Sequence, residues 1–391
     1  MLLICDSHPV QYRAPIYQEL ARRKPSSLHV VYASDCSVRG YKDVGFGTSV
    51  TWDEPMLEGY SNSILNSERG VPLSGWGSLT GRGLQSEIRG KQPKAVLLTG
   101  LNYRYDWAAA RIAKLARIPL WLRCETQDEA VAARTAWKRH ARSLIYRSAY
   151  RLFDRFFFIG ELNREHYLRH GVTEGRLRAA RYFTLDRVSA LSEAQKHDRR
   201  RAARESAGIE SDKVVCGFSG KFIPKKDPAL LFEMLAHLPR ELRRRLHLYF
   251  VGSGEMHGEL QRAADAARTE MGVKTHFAGF VNQSAIADQY LAMDILVLPS
   301  RRMGETWGLV ANEAMQAGCS VAVSDAVGCG RDFASWERFR VFPEHDASAL
   351  ASVVAELSSQ ARSFSWATEK LRRDYSLERT VDALQEELAQ L

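Results

Sequence analysis

At 391 residues, 45% hydrophobic and 26% charged, the chain is too long for one ordinary core and predicts two domains of roughly 170–200 residues each. Its composition is that of a soluble globular enzyme and excludes low-complexity and repeat architectures. The longest apolar runs, AVLLTGL and DILVLP, fall far short of the ~20 residues that span a bilayer. Net charge is +9, and the six cysteines (5, 36, 124, 216, 319 and 329) lack any close pairing pattern, which reads as reduced thiols in a cytoplasm.

In chain order, MLLICDSHPV turns polar at residue 6 without a basic start, so it predicts a strand rather than a signal peptide. Buried strands are expected at 2–5, 28–33, 95–100, 118–123 and 155–160, with helices at 14–23, 105–117 and 134–153. Residues 40–90 are Gly- and Ser-rich and predict long loops with a helix near 81–90. From Arg134 to Arg155, i+4 steps give the ridges Arg134, Lys138, Arg142 and Arg147, Arg151, Arg155, beside an apolar stripe of Trp137, Ala141, Leu144 and Leu152. This is either a solvated helix face or a surface attracted to an anionic membrane or a phosphate-bearing acceptor. No nucleic-acid module accompanies the charge, so no nucleic-acid partner is expected. Residues 187–212 are polar and read as the approach to a second domain.

The rhythm then restarts. Strands are expected at 213–220, 246–254, 274–280, 294–300 and 320–325, separated by helical segments. One of these helices starts at Asp227 as N-cap with Pro228 at the first position. Alternation of this kind predicts an α/β protein with two doubly wound parallel sheets, and in such sheets ligands sit at the carboxyl ends of the strands. The expected division is 1–190 for the first domain and 205–364 for the second, with a helix at about 365–391 packing back near the first.

The residues with chemistry fall at those strand ends. SGKFIPKKDP places Lys221, Lys225 and Lys226 on a loop entering a helix, where cations and free amides suit a diphosphate. VGSGEM places Gly252 and Gly254 where the backbone can come close to a ligand. MGETWGLVANEAMQAG carries Glu305 and Glu313 eight positions apart, an offset that leaves roughly 80° between them on one helix. Glu305 is therefore expected on the entering loop and Glu313 about one turn inside a helix that begins near Leu309 and ends at Gly318. A carboxylate accepts two hydrogen bonds side by side, which suits vicinal hydroxyls. The amides of Trp307, Gly308 and Leu309 at the helix start suit a phosphate.

Taken in order, FSGKFIPKKDP, LYFVGSGEM, THFAGFV, DILVLPS and GETWGLVANEAMQAGCSVAVSD resemble the donor domain of family 4 of the retaining glycosyltransferases. That family has the GT-B fold, two Rossmann-like domains facing across a cleft. The pattern Glu305–seven residues–Glu313 is the family's hallmark. SHPVQYRAPIYQELARR, WLRCETQDE, FFFIGELNREHYLRHGV and DYSLERTVDAL extend the resemblance, weakly over 35–90 and strongly over 213–325. The resemblance implies that Glu313 holds the ribose of a nucleotide-sugar donor and that Glu305 faces the donor sugar. Lys226 pairs with the diphosphate, while Lys221 stands where the family usually has arginine and so lacks the bidentate fork. Gly279, Phe280 and Val281 would line the base pocket.

Two departures lie in the first domain. The usual Gly-rich loop is replaced by DSHPVQYRAP, with His8, Gln11, Tyr12 and Arg13 as polar candidates. The usual histidine near the donor sugar is replaced by RCETQDE, where Arg123, Glu125 or Thr126 would fill the space. The implied enzyme transfers a sugar from a UDP- or GDP-sugar to a hydroxyl of a glycan or lipid-linked acceptor, retaining configuration. It needs no resident cofactor and no metal, in keeping with the absence of any Asp-x-Asp. It would work in the cytoplasm or on the inner membrane face in bacterial surface polysaccharide or lipopolysaccharide synthesis. The alternatives are a non-catalytic nucleotide-sugar-binding protein on the same fold, or another GT-B enzyme such as a nucleotide-sugar epimerase.

Overall fold

The structure is a computed structural model, and it describes residues 1–39, 41–43, 48–50, 53–66, 73–128 and 136–391. Arg134, the first residue of the expected basic ridge, lies outside the described residues.

The first half forms a parallel seven-stranded sheet. Its strands are β1 (Leu2–Asp6), β2 (Leu28–Tyr32), β5 (Asn62–Ile64), β6 (Ala95–Leu98), β7 (Leu120–Leu122), β8 (Arg155–Phe158) and β9 (Leu177–Ala179), in the order β5-β2-β1-β6-β7-β8-β9. A short antiparallel pair, β3 (Tyr41–Asp43) and β4 (Thr48–Val50), lies outside it. The second half forms a parallel six-stranded sheet from β10 (Val214–Ser219), β11 (Leu246–Val251), β12 (Lys274–Gly279), β13 (Ile295–Leu298), β14 (Ser320–Ser324) and β15 (Phe339–Phe342), in the order β12-β11-β10-β13-β14-β15. β1, β2, β6, β10, β11, β13 and β14 are buried from end to end. Helices cover both faces, so these strands read as continuous apolar runs rather than alternating ones. The fold is the expected α/β arrangement of two Rossmann-like sheets. Among the described residues no helix is long and apolar enough to cross a membrane.

Several local expectations are corrected. Strands β5, β9 and β15 were not expected; β5 and β9 lie at the outer edges of the first sheet and have only three residues each. Such pieces are too short for periodicity to reveal. The polar stretch before the second domain holds a helix, Glu193–Ser206, with a capping box between Ser192 and Gln195. Its arginines explain its polarity: Arg200 and Arg204 both grip Asp294, at 2.6 and 2.5 Å. Asp227 is not a helix N-cap. It sits at φ 51° after a 3-10 turn, Pro224–Lys226, and the helix begins only at Leu230. The Asp227 carboxylate meets His345 Nδ1 at 2.8 Å instead.

The basic helix runs to Tyr150 and no further. Arg151 and Arg155 therefore do not continue its ridge, and Arg155 enters β8 and pairs with Glu387. Trp137, Leu144 and Ile145 on this helix are 69, 64 and 59% exposed.

The last helix, Leu377–Ala389, crosses back to the first domain. Val381 and Leu384 join the core formed by Leu2, Ile4, Ile16 and Leu20. Asp382 pairs with Arg23 at 2.6 Å.

The two sheets meet along a seam. Trp307 packs against Gly160 so closely that a Cβ on this glycine would overlap the indole. Asp332 Oδ2 accepts from the Glu161 amide at 3.0 Å, and the Glu305 carbonyl accepts from Gln127 Nε2 at 3.0 Å. Gln316 Nε2 donates to the Thr184 carbonyl at 2.9 Å.

Candidate functional site

The cleft between the domains has a volume of about 480 Å³. Its second-domain wall comes from the loops after β10 and β13. Gly220, at φ 149°, turns the chain out of β10 and into Lys221. The 3-10 turn that follows brings Lys226 to Glu305, with which it forms an ion pair. Lys225 Nζ donates to the Gly304 carbonyl at 3.0 Å, and Ser300 Oγ to Glu305 Oε2 at 3.3 Å. Burial works against the ionised carboxyl of Glu305, but Lys226 and Lys225 outweigh it and hold the group below the usual carboxylate range. Burial lowers the pKa of Lys225.

Gly308, at φ 95°, reverses the chain into the helix Leu309–Gln316. A side chain here would lie 2.7 Å from Leu298 and 2.8 Å from Val327, so both the conformation and the space require glycine. Gly308, Leu309 and Val310 line the cleft, so the start of this helix forms part of its wall. The indole of Trp307 is structural: its Nε1 donates to Asn312 Oδ1 at 2.9 Å, and the ring packs on Tyr182, Phe333 and Tyr375.

Glu313 lies one turn inside the helix, as expected, and lines a smaller adjoining cavity with Gln283 and Arg187. Gln11, Tyr12 and Leu309 border both cavities, which makes them neighbours. Glu313 Oε2 accepts from Tyr290 OH at 2.7 Å, and this phenol also reaches Ser219 Oγ at 3.0 Å. Burial pushes the Glu313 carboxyl up to about 7, against the pull of its hydrogen bonds from Tyr290 and Gln283. The two glutamates therefore differ sharply: Glu305 is held ionised by lysines, whereas Glu313 titrates near neutrality.

The first-domain wall carries His8, Gln11, Tyr12 and Glu125. Glu125 Oε1 accepts from Tyr12 OH at 3.2 Å and from Tyr182 OH, and Arg13 stands 3.7 Å away. Burial pushes the His8 imidazole down to about 4, so it is neutral at physiological pH.

The remaining candidates stand elsewhere. Arg13 lies beneath the loop, its guanidinium 2.5 Å from Asp6, a carboxylate that also accepts from Tyr17 OH and Thr99 Oγ1, each at 2.8 Å. Arg123 is buried, stacked over Tyr182 and donating to the Ala180 carbonyl at 3.1 Å, so it shapes the wall without lining it. Thr126 lies beside Cys124 Sγ at 3.5 Å, and its carbonyl accepts from Asn163 Nδ2 at 2.6 Å. Of the three residues offered for the histidine's space, Glu125 alone lines the cleft.

Gly252 and Gly254 use their missing side chains against protein rather than open space. A Cβ on Gly252 would overlap the Gly220 carbonyl, and one on Gly254 would lie 2.5 Å from that of Phe222. The pair thus lets the β11 loop support the lysine loop, with Phe222 N donating to the Ser253 carbonyl at 2.9 Å. Gly279, at φ 73° at the end of β12, turns the chain into the half-buried stretch Phe280, Val281 and on to Gln283. Tyr182, Tyr290 and Gln127 were not anticipated. Each acts through a contact more than 20 positions away, and no local pattern marks them.

Residues 199–375 match the family described as glycosyl transferases group 1. Over 184 residues the chain is 34% identical to a D-inositol 3-phosphate glycosyltransferase 2 of Catenulispora acidiphila, a match covering 44% of this chain and 42% of that relative. The chain thus spans less than half the length of this curated relative. Among solved structures, Anabaena Alr3699/HepE in complex with UDP and glucose superposes with a TM-score of 0.68 at 16% identity, covering 100% of this chain and 99% of that one. WaaG, a glycosyltransferase involved in lipopolysaccharide biosynthesis, gives 0.64 at 15%, covering 99% and 98%. The architecture these structures share with this chain is GT-B.

Proposed function

We propose, from a second domain that belongs to the glycosyl transferases group 1 family, that the chain transfers a sugar from a nucleoside-diphosphate sugar to a hydroxyl of a glycan or lipid-linked acceptor. The observation that carries this reading is the division of labour across the Gly308 turn. The ionised Glu305, paired with Lys226, lies in the larger cleft, while Glu313 lies in the neighbouring cavity and a helix start stands between them. These positions match the parts of one extended ligand. Glu313 accepts from the ribose, the amides at 307–309 with Lys221 and Lys226 take the diphosphate, and Glu305 faces the sugar. Gly279, Phe280 and Val281 border the base.

As the bond from the anomeric carbon to the phosphate oxygen breaks, charge builds on that oxygen. The lysines and the helix start stabilise it before and during departure. The acceptor hydroxyl attacks from the face the phosphate leaves and passes its proton to the departing phosphate oxygen, retaining configuration with no protein nucleophile and no metal. Glu125, His8 and Gln11 stand on the wall opposite the lysines, where an acceptor would enter. Glu125 is in reach of two phenols and a guanidinium and is placed to orient that hydroxyl. The exposed Trp137, Leu144 and Ile145 beside Lys138, Arg139 and Arg147 suit an anionic membrane surface that carries a lipid-linked acceptor. This fits a role in bacterial surface polysaccharide or lipopolysaccharide synthesis.

The test is a panel of UDP- and GDP-sugars scored for slow nucleotide release. One donor should be hydrolysed, with turnover lost in Glu313→Ala and Lys226→Ala variants that keep the wild-type circular dichroism. Tight donor binding without turnover in acceptor-rich extract would replace the transferase with a binding protein. Interconversion of the donor into a second nucleotide sugar would replace it with an epimerase. Sedimentation with vesicles should need anionic lipid and weaken in Lys138→Ala/Arg147→Ala. Sedimentation indifferent to both would leave the helix a solvated face.

A further inference from the structure

Behind the first-domain wall, outside the cleft, three groups converge that the transfer reaction does not use. Asp128 follows Gln127 directly and lies three positions after Glu125. His166 and His170 lie one turn apart on the same face of the helix Glu161–Arg169 and its C-cap. One ligand atom from each of the three lies within 4.8 Å of the others. His166 Nδ1 is 2.8 Å from Asp128 Oδ1, and the two imidazole centroids are 4.3 Å apart. Both histidines are buried, at 1 and 5% exposure.

We infer that Asp128, His166 and His170 form a site for a divalent transition metal of the zinc class, which pins the Glu125–Asp128 loop to the helix beneath it.

The surroundings have the character of an outer ligand shell. A metal-bound imidazole is usually oriented by a hydrogen bond at its other nitrogen. His166 Nε2 meets Tyr150 OH at 2.8 Å, which leaves Nδ1 for the metal beside Asp128. His170 Nδ1 meets the His166 carbonyl at 2.7 Å, which leaves Nε2 as its ligand atom. Arg169 holds the other carboxylate oxygen of Asp128 at 2.5 Å, so Oδ1 is the one turned to the histidines. Tyr146 stands edge-on to both rings, at 4.8 and 5.3 Å, and walls one side. The Asp128 side chain is 29% exposed, which gives an ion access and room for water as a fourth ligand. Two nitrogens and one oxygen favour Zn²⁺ or Co²⁺ over Mg²⁺ or Ca²⁺, which take all-oxygen sets.

The site is independent of the transferase reading and is tested without donor. The full chain, freed of any purification tag and stripped with chelator, is titrated with Co²⁺ alone. One equivalent should produce the intense visible ligand-field bands of a four-coordinate ion, and Zn²⁺ should displace it, as its greater affinity requires. His170→Ala should abolish the bands. Tyr150→Phe, which keeps the core packing, should weaken binding by about tenfold. Wild-type protein that leaves Co²⁺ with the weak spectrum of the hexa-aquo ion would overturn the site. Bands surviving in His170→Ala would also overturn it.

Discussion

Burial lifts the Glu313 carboxyl from the ordinary 4.5 of a glutamate to about 7. Because its pKa is raised in the folded protein, the native state keeps a proton that the unfolded chain has lost. Its contribution to stability is complete below about pH 4.5 and disappears as pH rises toward 7. Urea unfolding of wild type relative to Glu313→Gln should therefore show a stability difference that falls between pH 5 and 7.5. Donor binding should run the other way, because only the carboxylate accepts from two ribose hydroxyls. KM for the donor should drop as pH rises through 7, and Glu313→Gln should raise KM and flatten the profile. Glu305 makes a different case. Its side chain is 12% exposed and that of Lys226 18%, so Lys226→Met strands a buried charge and should cost about 3–5 kcal/mol. Lys226→Met/Glu305→Gln should recover part of that loss in the same urea titrations. Both glutamates were legible because glycines and a helix start bracket them locally. Arg13 and Arg123 were not, because an arginine's partner is set by how the chain folds around it: the Asp6 carboxylate at the end of β1 in one case and the Ala180 carbonyl, 57 positions away, in the other.

Among the elements, long apolar strands and the helix at 309–316 could be read directly, because burial on both faces and terminal glycine leave local marks. The helix Glu193–Ser206 escaped because its inward-facing side chains include arginines that bond Asp294 and backbone carbonyls. A polar interface looks like a linker when only hydrophobicity is followed. Strand β5 is held by pairing with β2 rather than by its own composition. The Gly252 loop shows an element working at one remove. Gly252→Ala should push on the Gly220 carbonyl and displace Lys221 and Lys226 together. Donor affinity measured by calorimetry should weaken at least about tenfold, or about 1.4 kcal/mol. Lys221→Ala alone should weaken it less.

For the whole molecule, closure rests on the contact of Trp307 with Gly160, helped by Asp332 on the Glu161 amide. Gly160→Val has no room beside the indole and should hold the domains apart. Small-angle scattering should show a larger radius of gyration, and kcat should fall more than donor affinity, since most donor contacts belong to one domain. Two domains and their order were evident from the repeated strand rhythm. Their angle was not, because it depends on contacts between residues far apart in the chain, such as Gly160 and Trp307, 147 positions apart. The return of the helix Leu377–Ala389 to the first domain has a mechanical meaning. The polypeptide passes between the halves twice, once after β9 and again between Phe364 and Leu377. A molecule strung on two cords can swing about the line joining them but resists twisting and sliding. A protease that severs only the first cord should leave both halves eluting as one particle.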